Sequence, residues 1–85
     1  MEAHQIIKYP LSTEKSIRLM EAENKIVFIV DSRATKADIK KAIEETFKAK
    51  VVKVNTLIAK GRKKAYVKFS PQTPAIDIAT QLGLM

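Results

Sequence analysis

Cysteine and tryptophan are missing from this sequence altogether, histidine occurs once and glycine twice. Without cysteine there is no disulfide frame, no thiolate nucleophile and no sulfur-ligated zinc or iron–sulfur site, and one histidine cannot build a His-rich metal centre. Two glycines leave no Gly-rich loop to cradle a phosphate. No apolar run approaches the roughly 20 residues that cross a bilayer. The opening Met1-Glu2-Ala3-His4 has neither the basic start nor the apolar stretch of a signal peptide, so a cytoplasmic protein without membrane insertion is expected. His4 has no Ser or Asp partner in a recognisable catalytic pattern. Glu44-Glu45 and Glu21/Glu23 sit at helical spacings beside lysines and read as solvated surface, not as acid–base pairs. The expectation is a protein with no catalytic residues, no bound metal and no cofactor.

Acid is also absent, but only locally. Residues 1–47 balance eight Lys/Arg against eight Asp/Glu, whereas residues 48–68 hold Lys48, Lys50, Lys53, Lys60, Arg62, Lys63, Lys64 and Lys68 and no acid. Only Asp77 follows, so the net charge of +7 belongs to one segment. A concentrated basic surface attracts polyanions, nucleic acid first and anionic membrane second; it can also be plain solubilising surface. No helix has a wholly basic polar face, which disfavours the membrane.

What the sequence does contain is periodic. At 85 residues and 46% hydrophobic content it has the size and composition of one compact domain, 1–85. Ser12-Thr13-Glu14 opens a short helix through Ala22 with capping hydroxyls and an acid in the first turn. Pro10 favours an extended approach to it, with Gln5 to Tyr9 as a brief edge strand. Lys25 to Asp31 is β-branched and aromatic and reads as a strand covered on both faces. Thr35-Lys36-Ala37-Asp38 is a capping box with Asp in the usual Glu position, and Ile39, Ala42, Ile43 and Phe47 continue a helix over about 36–48. Lys40, Lys41, Glu44 and Glu45 form its solvated outer face. Thr73-Pro74 caps and starts a last helix, striped by Ala75, Ile78, Ala79 and Leu82 and closed by Gly83.

Between these helices, Val52 to Lys60 and Arg62 to Ser70 alternate as two strands of a hairpin turned at Lys60-Gly61. The fold class is α+β, a mainly antiparallel sheet of three to four strands packed by about three helices. With Val52, Val54, Thr56 and Ile58 on one face, Lys53, Asn55, Leu57 and Ala59 occupy the other. Lys64, Tyr66 and Lys68 leave the face opposite Ala65, Val67 and Phe69. Cations for phosphates, an amide for base edges or 2′-hydroxyls and an aromatic for stacking suit RNA better than a DNA groove. Tyr66 can equally be packed under the last helix.

In order along the chain, Pro10-Leu11-Ser12-Thr13-Glu14-Lys15, Asn24 to Asp31, Ala34 to Lys40, Val51 to Thr56 and Lys63-Lys64-Ala65-Tyr66-Val67 resemble the L-twenty-three family of large-subunit ribosomal proteins. The resemblance covers nearly the whole chain. It implies a structural protein that binds large-subunit ribosomal RNA beside the exit of the nascent-peptide tunnel, next to other ribosomal proteins, where the signal recognition particle or ribosome-associated chaperones dock. It carries RNA contacts onto Lys15, Lys25, Lys36, Asn55, Thr56 and Lys63 to Tyr66, alongside the hairpin cations Lys53, Lys60, Arg62 and Lys68, and a factor-docking role onto Glu14. Only Leu57 to Arg62 separate Thr56 from Lys63, where the bacterial pattern has a long loop, so the short-loop archaeal-type form is implied. The C-terminal Leu82-Gly83-Leu84-Met85 agrees with that form. A free-standing nucleic-acid-binding module and a small phosphatase on a similar α+β scaffold are the competing readings.

Overall fold

The computed structural model describes residues 3–83. Four strands, β1 (Ile7–Pro10), β2 (Lys25–Val30), β3 (Val51–Ala59) and β4 (Arg62–Phe69), form one antiparallel sheet in the order β1-β2-β4-β3. The helices are α1 (Ala3–Ile6), α2 (Glu14–Glu23), α3 (Lys36–Phe47) and α4 (Ala75–Gln81). The expected α+β architecture is therefore present. Its one addition is α1, a short turn over part of the segment expected to be strand. The strand there begins at Ile7 and includes Pro10, which an edge position tolerates because no ladder donor is needed.

All the helices pack on one face of the sheet. Ile26, Phe28 and Val30 of β2, Ala65, Val67 and Phe69 of β4 and Val51 and Val54 of β3 are buried against Met20, Ile39, Ala42, Ile43, Ala75, Ile78 and Ala79. Phe28 and Phe47 stack across this layer with centroids 6.3 Å apart. Burying such side chains contributes roughly 1.5–3 kcal/mol each for the larger ones. Among the described residues, the other face carries no helix.

The capping signals act as written. Thr35 accepts from the N–H of Asp38 while the Asp38 carboxylate accepts from the N–H of Thr35, and Thr13 and Ser16 reciprocate in the same way at α2. The Thr35 backbone N–H, and secondarily the Thr35 side chain, hold the Asp38 carboxyl below the ordinary carboxylate range. Lys60 (φ 53°) and Gly61 (φ 73°) are both left-handed, the pattern of a type I′ turn, which resolves the hairpin loop.

Three expectations are corrected. Val52 does not face the core: a register shift between Val51 and Lys53 inserts it as a bulge, 57% exposed, and Val51 takes the inward position at 3%. Glu44 is not merely solvated, because its Oε2 accepts the N–H of Val51 at 3.2 Å beside that bulge. Thr73 does not cap α4; its hydroxyl accepts instead from the N–H of Lys50 at 3.3 Å.

The start of α4 is held by Asn24. In the left-handed conformation (φ 57°) at the end of α2, Asn24 accepts the Ala75 N–H on Oδ1 at 2.6 Å. Its Nδ2 lies 3.0, 3.1 and 3.2 Å from the carbonyls of Phe69, Ser70 and Thr73, its two protons shared among the three. One side chain thus joins α2, the end of β4 and α4.

Candidate nucleic-acid interface

Pairing register converts the basic segment into a surface. On the helix-free face Lys25 lies opposite Lys68, and Lys68 lies opposite Lys53, so three lysines form one row across β2, β4 and β3. The next row is Val27, Tyr66 and Asn55, and the next is Tyr9, Ile29, Lys64 and Leu57. Arg62 continues the same face at the hairpin, where Ala59, Lys60, Arg62 and Lys64 line a shallow hollow.

No strand contains an acid. Acids flanking β2 are engaged by neighbours: Glu23 pairs with Lys25 at 3.2 Å, and Asp31 with Arg33 at 3.1 Å. Hydrogen bonds from the Arg33 guanidinium, and secondarily from its backbone N–H, lower the Asp31 carboxyl to about 2. Among the described residues, Lys53, Lys64 and Lys68 have no carboxylate partner. Like charges directly opposite one another in a sheet are destabilising; Glu23 offsets Lys25, so the uncompensated pair is Lys68 and Lys53, whose repulsion opposes folding unless an anion lies over it.

The Asn55 amide, half-buried beside Tyr66, makes no hydrogen bond within the described residues. Its polar atoms remain available to a ligand. Tyr66 lies on the face away from α4, which removes the reading that it packs beneath the last helix. β2 is nonetheless buried on both sides, Val27 and Ile29 included. Same-face side chains of the neighbouring strands close over that second side, where a covering layer was expected.

The residues singled out in the sequence therefore divide. Lys25, Lys53, Asn55, Arg62, Lys64, Tyr66 and Lys68 share the open face, with Lys60 at its turn. Thr56 and Lys63 point to the helix side, and the Lys63 Nζ is committed to the Ala34 carbonyl at 2.7 Å. Lys36 opens α3 and Lys15 lies on α2, so neither belongs to the sheet surface. Glu14 begins α2 exposed, in an i,i+4 ion pair with Arg18 at 2.7 Å. Such a pair is worth about 0.3–0.5 kcal/mol and is readily exchanged for another partner. Tyr9 was not singled out, because a four-residue edge strand with a register shift gives too little alternation to show its face.

The family described as Ribosomal protein L23 matches residues 5–80, which is most of the chain and all four strands. The chain belongs to that family. It is 49% identical over 85 residues to large ribosomal subunit protein uL23 of Trypanosoma brucei brucei, covering 99% of this chain and 52% of that protein, so it spans about half the length of that relative. It is 46% identical to uL23 of Methanococcus aeolicus and 47% identical to uL23 of Methanococcus vannielii, covering 99% of both chains in each case. Coverage so complete leaves no room in either Methanococcus protein for a long inserted loop, in agreement with the two-residue turn at Lys60-Gly61. Membership makes this chain a ribosomal protein, a structural and non-catalytic component of the large subunit, located with the ribosome in the cytoplasm.

Proposed function

We propose that the chain folds as one RNA-binding domain and holds large-subunit ribosomal RNA against the open face of its sheet, through Lys25, Lys53, Lys60, Arg62, Lys64 and Lys68 on phosphates and Asn55 and Tyr66 on bases. The observation that carries this is the cross-strand row Lys25–Lys68–Lys53, in strands that contain no acid and with only Lys25 paired to a carboxylate. Such a row costs stability in the free protein and is relieved by a polyanion. Lys15 and Lys36, exposed on α2 and α3, add contacts at the margins. Lys63 and Thr56, on the helix side, act through the fold and not through RNA.

Family membership supports a position beside the exit of the nascent-peptide tunnel, among neighbouring ribosomal proteins. The two-residue turn has no length to reach inward, so the role there is one of surface. Glu14, exposed on the first turn of α2, offers a docking point for the signal recognition particle or a chaperone.

Binding to a large-subunit ribosomal RNA fragment tests the core of the proposal. Replacing Lys60, Arg62, Lys64 and Lys68 by alanine should lower affinity by at least 10-fold, about 1.4 kcal/mol or more in total, and flatten its salt dependence. Unchanged affinity would remove the open face from RNA recognition. Glu14→Lys in reconstituted subunits should weaken binding of the signal recognition particle without altering RNA affinity; undiminished binding would remove Glu14 from the docking surface.

A further inference from the structure

Val27 and Ile29 lie outside the core cluster packed beneath the helices, yet each is only about 3% exposed. Same-face neighbours cover them: Leu11, whose N–H bonds the Val27 carbonyl at 2.9 Å, and Tyr66 on either side of Val27, and Tyr9 and Lys64 on either side of Ile29. The two aromatic side chains thus flank this covered strip on the open face. Tyr9 remains 42% exposed and Tyr66 half-buried, and no hydrogen bond within the described residues engages either hydroxyl.

We propose that Tyr9 and Tyr66 form a two-site stacking platform for unpaired RNA bases, an inference that rests on the open face being the RNA-binding surface. The two residues are separated by two strand spacings and offset by one same-face step, which places their Cα atoms roughly 12 Å apart. That span is several times the rise of about 3.4 Å per nucleotide in a stacked duplex strand. Neighbouring bases of a regular helix cannot fill both places, whereas splayed bases of a loop or junction can.

The side chains between the two rings suit such a strand. Lys64 shares the Tyr9 row and stands one same-face step from Tyr66, where it meets phosphate linking the two splayed bases. A base on Tyr66 has the Asn55 amide as its cross-strand neighbour, whereas a base on Tyr9 is flanked by Ile29. Tyr66 is thus the selective place and Tyr9 the tolerant one.

The sequence supplies its own probe, because it has no tryptophan and only these two tyrosines. Tyr9→Phe leaves Tyr66 as the sole tyrosine emitter, and Tyr66→Phe leaves Tyr9. Titrated with single-stranded oligouridine, both single-tyrosine proteins should be quenched; a fully paired RNA duplex of equal length should quench neither. Tyr9→Leu should retain its fold by circular dichroism and lose about 5- to 150-fold in affinity for the single strand, with duplex affinity kept. Unquenched Tyr9 emission, or equal loss on both probes, would overturn the platform. The variant Lys64→Gln/Lys68→Gln separates the two levels. If it weakens both probes, RNA binding by the face stands whatever the tyrosines do; if it weakens neither, the face and the platform fail together.

Discussion

The ammonium of Lys63 donates to the carbonyl of Ala34 at 2.7 Å on the helix side of the sheet, while its chain neighbour Lys64 leaves the opposite face. Adjacent lysines of one basic run thus have unlike duties. Lys63→Met should cost about 1.5–3 kcal/mol of stability, because a charge-assisted bond is lost. It should leave the salt slope of RNA binding unchanged. Lys64→Met should do the reverse, lowering the slope by about 1 with stability kept. Paired denaturant melts and salt titrations of the two variants check this.

Lys68 stands between Lys25 and Lys53 in the cross-strand row. Glu23 already offsets Lys25, so Lys68→Gln chiefly relieves the repulsion with Lys53 and should stabilise the free protein by roughly 0.2–1 kcal/mol. The same change should weaken RNA binding. A thermal melt showing a lower midpoint for this variant would contradict the view that the row is held against its own repulsion.

Asn24 makes four side-chain hydrogen bonds from a left-handed backbone. Asn24→Ala should destabilise by about 3 kcal/mol, combining lost bonds with a left-handed backbone that Asn tolerates better than Ala. Asn24→Asp should not rescue it, since a carboxylate accepts from Ala75 but cannot donate to three carbonyls. Hydrogen exchange should show the α4 amides opening first in both variants.

The Asp31 carboxyl, held at about 2 by Arg33, titrates below its unfolded value near 3.9. A depressed carboxylate favours the folded state above the unfolded pKa, and that contribution disappears as pH falls from about 4 through about 2. A carbon-detected NMR titration should place the Asp31 midpoint near 2. In Arg33→Gln it should return toward the ordinary carboxylate range.

Much of this was legible in the sequence because it depends on near neighbours. The Thr35/Asp38 box, the Lys60-Gly61 turn and the parity of Lys64, Tyr66 and Lys68 are all set within a few residues. Asn24 was not legible, because its partners lie 45 to 51 residues away. Val52 was assigned to the wrong face because strict alternation cannot register a bulge. Tyr9 acquires a face only through pairing with Ile29, and Lys63 acquires its structural duty only when α3 brings Ala34 beside β4. Charge located the candidate interface; topology decided which cations share its face.

The salt dependence of RNA affinity, compared between two double variants of equal charge, tests the central claim most directly. Lys64→Gln/Lys68→Gln removes two cations from the open face, and Lys40→Gln/Lys41→Gln removes two from the exposed side of α3. With a slope contribution of about 0.7–0.9 per phosphate contact, the first pair should lower the slope of log affinity against log salt by about 1.5 and the second should scarcely change it. Equal slopes for the two variants would contradict an RNA interface on the open face of the sheet.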